Sequence, residues 1–136
     1  MTGLFVFAFS GCKNEPKVNT SNPFFSEYNT PFDVPPFEKI SAKHYMPAFE
    51  KGMEDARKEV ETLLNNKKTP TFENTILALD NHGELLTKVA SVFFSQTSAA
   101  TNDSLQKIEI EISPKLSAFR DEIQLNPDLF KRVKYV

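Results

Sequence analysis

Pro70-Thr71-Phe72-Glu73-Asn74-Thr75-Ile76-Leu77-Ala78-Leu79-Asp80 reads as the start of a long amphipathic helix, and the segments before and after it read as helices cut to pack against it. Thr71 suits the N-cap, since its hydroxyl can accept from the otherwise unpaired backbone N–H of Asn74. Glu73 falls in the first turn, where the helix dipole favours a negative charge. Phe72, Ile76, Leu79, Gly83, Leu86, Ala90 and Phe93 then recur at steps of four and three, and Leu77, Val89 and Phe94 widen that stripe. A helix that is apolar over more than a narrow seam is expected at the centre of its bundle. Gly83 costs roughly 1 kcal/mol relative to Ala in a helix interior, which predicts either a close helix crossing or a kink at that position.

Upstream, Ser41 can cap a first helix whose face is Met46, Phe49, Met53, Ala56, Val60 and Leu63, with Glu50, Lys51, Glu54, Lys58 and Glu61 opposite. Pro47 is tolerated only near a helix start, so the turn from Ser41 to Met46 is expected to be distinct from the main helix. Asn65-Asn66 marks the end. Downstream, Ser95 to Asp103 is rich in capping residues and reads as a loop. Asn102 or Asp103 can start a third helix. Ile108, Ile110 and Ile112 alternate with glutamates as in a half-buried strand, but Leu105, Ile108, Ile112, Leu116, Phe119 and Ile123 fit a helix over a longer window, with a kink or break expected at Pro114. Asn126-Pro127-Asp128 repeats the start signal for a fourth helix, which reads as truncated at Val136.

Before these helices, Asn22-Pro23-Phe24-Phe25, Thr30-Pro31-Phe32 and Val34-Pro35-Pro36-Phe37 exclude a helix, because each Pro removes a donor and pushes its predecessor toward extended backbone. The interleaved Phe residues call for burial, so an arm laid across the helices is expected; a Pro-rich ligand for a partner domain is the alternative. The fold class is therefore all-α: an antiparallel helical hairpin or bundle of three long helices plus a truncated fourth, preceded by an extended Pro/Phe-rich arm, the arm and helices together forming one segment over 23–136.

The chain has 136 residues, enough for one core, with ordinary hydrophobic and charged fractions, thirteen Phe and no Trp. A formal net charge of -2 and the absence of any Lys/Arg run beyond pairs give no footprint for nucleic acid. Cys12 is the sole cysteine, which excludes an intrachain disulfide and a cysteine-based metal cluster. It follows a short apolar run, Leu4-Phe5-Val6-Phe7-Ala8-Phe9, and the small residues Ser10-Gly11. That order resembles a bacterial lipoprotein signal at 1–12, with Cys12 as the lipidated residue and 13–22 as a flexible polar tether. No Lys or Arg precedes the apolar run, so the signal looks incomplete; a stray apolar N-terminus with a free thiol is the alternative. The lipoprotein reading places the protein in the cell envelope, periplasmic or at the outer membrane, on a lipid anchor.

Several pieces recur together in order: Asn22-Pro23-Phe24-Phe25, Pro35-Pro36-Phe37-Glu38-Lys39-Ile40, His44-Tyr45-Met46-Pro47-Ala48-Phe49-Glu50-Lys51-Gly52-Met53, Pro70-Thr71-Phe72-Glu73-Asn74-Thr75-Ile76, Val92-Phe93-Phe94, Pro114-Lys115-Leu116 and Leu125-Asn126-Pro127-Asp128-Leu129-Phe130. Together they resemble the N-terminal region of the thimet-oligopeptidase-like zinc metallopeptidases, and within them the bacterial peptidyl-dipeptidases. The resemblance implies a longer, almost wholly helical enzyme of two lobes around a channel, with zinc held by a His-Glu-x-x-His helix and a further glutamate. It implies short peptides as substrates, cut internally or trimmed of C-terminal dipeptides, and it implies that these N-terminal helices wall the channel.

That chemistry needs two imidazoles one helical turn apart on the same ion, with a glutamate beside the metal-bound water. His44 and His82 are the only histidines, and neither is followed by Glu-x-x-His. No catalytic residue and no metal ligand is therefore expected in this chain; zinc belongs to the full-length enzyme, and the missing C-terminal catalytic region is the implied partner. Glu50/Glu54, Asp80/Glu84 and Glu109/Glu111 are formally acid–base pairs, but on amphipathic helices they read as solvated faces. A different class of function is a small helical lipoprotein that binds a peptide or partner through its Phe-rich surface.

Overall fold

α1 (Ala42–Asn65) is the element the others lean on. The computed structural model describes residues 22–136; the expected signal with Cys12, and all of the tether except Asn22, lie outside them. Two 3-10 turns, Pro23–Phe25 and Pro31–Asp33, precede α1. A π-helical turn, Phe72–Leu77, runs into the short α2 (Ala78–Asp80), followed by α3 (Glu84–Ala100), α4 (Asp103–Gln124) and α5 (Pro127–Tyr135). There is no strand among the described residues, and the fold is all-α.

The stripe read from the sequence forms the buried face of α1, with Phe49, Met53, Ala56, Val60 and Leu63 inside, joined by Tyr45, Ala48 and Gly52. α3 runs antiparallel to α1, so that the Tyr45 hydroxyl donates to Gln96 Oε1 at 2.6 Å near one end while Gly83 approaches Ala56 near the other. α4 runs parallel to α1: Lys115 faces Glu50 at 3.5 Å and Arg57 pairs with Glu122 at 2.9 Å. Aromatic rings knit the α1–α3 seam, with Tyr45 and Phe93 centroids 4.9 Å apart, Phe49 and Phe93 5.4 Å apart, and Phe24 of the arm 5.4 Å from Tyr45. Edge and tilted geometries such as these suit the ring quadrupole. A second, smaller cluster of Val60, Leu63 and Leu129 seats α5 against the end of α1.

The stretch that opens the sequence reading is capped as expected: Thr71 Oγ1 accepts from the Asn74 N–H at 3.2 Å. It does not, however, begin one long helix at the centre of the bundle. The six residues after the cap, Phe72–Leu77, are π-helical, Phe72 and Leu77 are exposed, and a turn at 81–83 separates α2 from α3. The break is at Gly83, which adopts φ 71°, a left-handed conformation that glycine reaches without steric cost. The close helix crossing is made instead by Gly52, where a Cβ would lie 2.9 Å from the Leu86 Cα. Central position passes to α1, which packs on both α3 and α4 while those two touch each other little.

Two boundaries also differ. Ser95 to Ala100 continues α3, so the expected loop shrinks to Thr101 and Asn102; the hydroxyl side chains there stay on the outside of a helix that Val92 and Phe93 anchor in the core. α1 is continuous through Pro47, and α4 through Pro114. Pro47 leaves the Lys43 carbonyl without its helical donor, and the adjacent His44 carbonyl receives the Asn22 side-chain amide at 2.8 Å. Ile110, whose carbonyl loses its donor to Pro114, is 76% exposed, so water can take that place. Asn102 and Asn126 cap α4 and α5, each accepting two backbone N–H groups at 3.0 Å.

The arm is only partly laid down. Phe24 is buried, Phe25 packs against the core, and Lys88 holds the arm by donating to Ser26 O at 2.8 Å with its ammonium 4.0 Å from the Tyr28 ring centroid. Beyond Tyr28 the expectation of buried Phe fails: Phe32 is 98% exposed, with φ 58°, and Phe37 is also exposed.

Candidate functional site

A groove of about 900 Å³ lies between α3 and α4. It exists because both helices pack on α1 rather than on each other. Leu86, Ala90 and Phe94 form its α3 wall, Leu116, Phe119 and Ile123 its α4 wall. Along α3 a ridge of small hydroxyl residues, Thr87, Ser91, Ser95 and Ser98, recurs at steps of four, four and three. Arg120 and Gln124 stand on the α4 side and His82 at one end. Arg120 makes no ion pair among the described residues, unlike Arg57 one element away.

The two histidines do not come together in the groove. His82 is half-buried there, with Nδ1 directed to the Leu79 carbonyl, an arrangement that commits one ring nitrogen to its own turn. His44 sits in the first turn of α1, where Nδ1 accepts from the Ser41 N–H at 3.1 Å. That contact requires an unprotonated Nδ1, and partial burial, aided by the Lys43 ammonium, pushes the imidazole below its usual range. The two histidines thus serve separate local turns.

The carboxylate pairs are likewise separated. Glu54 engages Lys58 at 2.5 Å, a contact that lowers the Glu54 carboxyl and raises the Lys58 ammonium, while Glu50 faces Lys115 across to α4. Glu111 also binds Lys115, at 2.9 Å, and Asp80 and Glu84 are exposed on either side of the turn at 81–83. Among the described residues no group of three His, Cys, Asp or Glu is placed to hold a metal ion. The residues present do not fit the zinc site that the resemblance implies, and Cys12 lies outside the described residues. No helix among the described residues is long and apolar enough to cross a membrane.

The groove is absent from the sequence reading. Its signal was present in the regular spacing of Thr87, Ser91, Ser95 and Ser98, but those residues carry loop propensity and the last two fell inside the expected loop. Its opposite wall, Leu116, Phe119 and Ile123, was read correctly as an apolar face, with no indication that part of that face is left uncovered.

No family model matches the chain. It is similar to the dipeptidyl carboxypeptidase of Escherichia coli, with 44% identity over 119 residues, 88% of this chain and 18% of that protein. Against the dipeptidyl carboxypeptidase of Salmonella typhimurium the identity is 42% over 117 residues, 86% of this chain and 17% of that protein. Oligopeptidase A of Escherichia coli is 28% identical over 102 residues. These relatives agree with a thimet-oligopeptidase-like N-terminal region, and the chain spans less than one fifth of the length of the two dipeptidyl carboxypeptidases.

Proposed function

We propose, from the premise that this chain is homologous over most of its length to dipeptidyl carboxypeptidases, that it is the N-terminal helical segment of a peptidase of that kind. The observation that carries this reading is the 44% identity over 119 residues. The segment contributes a wall of the substrate channel and supplies none of the catalytic groups. Zinc and its ligands belong to the remainder of the longer enzyme, which acts on short peptides and releases C-terminal dipeptides. Alone, the 136-residue chain is inactive.

The helical architecture supports a structural role, since the groups that chemistry would need are dispersed and paired elsewhere: His44 in a capping turn, Glu54 with Lys58, Glu111 with Lys115. Lipidation at Cys12 anchors the protein to the cell envelope, a reading that rests on the sequence around that residue.

Incubating the purified chain with zinc and a blocked tetrapeptide tests the assignment. No dipeptide release above the blank is expected; zinc-dependent release that a chelator removes contradicts it. A chain that is inactive and also fails to associate with any peptidase remainder favours the other class, a small helical binding module.

A further inference from the structure

The α3–α4 groove leaves apolar side chains of both helices uncovered by the fold that surrounds it. Both walls are helices, and from Leu86 to Ser98 the α3 wall extends about 18 Å at the ordinary rise per residue. A trough of that length bounded by two helical ridges matches about three turns of another helix. The small side chains of Ser91, Ser95 and Ser98 let a third helical backbone approach closely, and the apolar residues between them and on α4 offer the sockets. Arg120, without an acidic partner among the described residues, stands beside those sockets. A carboxylate flanking the apolar stripe of an incoming helix would complete it.

We propose that this groove is the seat of an amphipathic helix with an acidic residue beside its apolar stripe, contributed by the part of the longer polypeptide that lies outside this chain. The proposal rests on the peptidase-segment reading for the source of the helix. Two observations support an occupant from the same longer protein: the relatives are more than five times the length that the chain matches, and the groove continues the apolar core of this segment through Leu86, Leu116 and Phe119. The occupied groove would turn the layer of α1, α3 and α4 into a four-helix arrangement.

The test is a titration of the isotopically labelled 136-residue chain, followed by NMR, with three synthetic 14-residue peptides. One is a Leu/Ala-striped amphipathic helix with Glu flanking the stripe; one has the same composition with the stripe scrambled; one is an extended Pro-containing peptide of equal hydrophobicity. Shifts centred on Ser91, Ser95, Arg120 and Ile123 with the first peptide only are expected. Ser91→Trp, which fills the trough at an exposed position, should weaken binding at least tenfold, and Arg120→Glu severalfold; Ser95→Trp serves if Ser91→Trp melts early. Equal binding of the scrambled or extended peptide, no shifts in the groove, or a dimer in sedimentation that Ser91→Trp converts to monomer would each overturn the proposal. The peptide-hydrolysis assay is independent of this titration, so an active chain would refute the peptidase-segment reading while leaving the groove result to stand or fall by itself.

Discussion

Gly52 of α1 and Leu86 of α3 meet backbone to backbone: a Cβ on Gly52 would lie 2.9 Å from both the Leu86 N and Cα. The neighbour there is main chain, which cannot rotate away as a side chain can. Gly52→Ala should therefore push the two helices apart along the aromatic seam, costing about 1–3 kcal/mol as an overpacked core does. Gly83→Ala meets side-chain atoms at ordinary contact distance, the Ala56 methyl at 3.4 Å and the Leu86 Cβ at 4.0 Å, but must hold φ 71°, at a cost of about 1–2 kcal/mol. Urea unfolding of both variants checks this, and a Gly52→Ala protein as stable as the parent would refute the close crossing.

Tyr45 is buried against Phe24 and Phe93, and its hydroxyl donates to Gln96 Oε1. Burial, with a smaller contribution from Tyr28, pushes its phenol up to about 12. The folded state thus keeps a proton that the unfolded chain releases near the ordinary tyrosine value of about 10. The resulting stabilisation is fully present below pH ~10 and is lost as pH rises through about 12. Tyr45→Phe should lower stability by about 1 kcal/mol at neutral pH through the lost hydrogen bond. It should also flatten the alkaline decline, which melting curves from pH 7 upward will show.

Arg132 ties α5 to two separate places, donating to the Asn66 carbonyl at 3.0 Å and to Asn74 Oδ1 at 3.1 Å. Asn74 in turn accepts from the Thr71 N–H and donates to the Thr69 carbonyl, so one arginine braces the entry to the π-helical turn. Arg132→Ala should cost about 2 kcal/mol, the range for hydrogen bonds to a charged group. Amide exchange should accelerate in 72–80 and in α5 before it does in α1 and α3. Uniform acceleration across all helices would contradict a local brace.

The proposal that Cys12 is lipidated makes a cellular prediction. In a Gram-negative host the native gene should yield a membrane-associated product, and Cys12→Ser should release it to the soluble fraction. A product that is soluble with Cys12 intact would refute the anchor.

Helix identities and caps were legible because they are local: Thr71, Asn102 and Asn126 each satisfy donors within three residues. The apolar stripe of α1 was equally plain, since every residue read onto its face from Phe49 to Leu63 is buried. What escaped was set by distance. The stripe through Gly83 has helical spacing on both sides of a left-handed residue, and periodicity alone cannot report a φ angle. Of the two roles open to Gly83 it is the break that it takes, while the close crossing falls to Gly52 because that crossing depends on where α3 lands. Ser95 and Ser98 have poor helix propensity but follow Val92 and Phe93, whose burial extends the helix past them. The groove is the same problem at a larger scale: an uncovered wall looks like a core face until the neighbours are placed.

The most direct measurement mixes this chain with Escherichia coli dipeptidyl carboxypeptidase from which the matched 119 residues have been deleted, and follows dipeptide release from a blocked tetrapeptide. Chelator-sensitive release is predicted in the mixture and in neither component alone. Dipeptide release by the 136-residue chain alone would contradict the account.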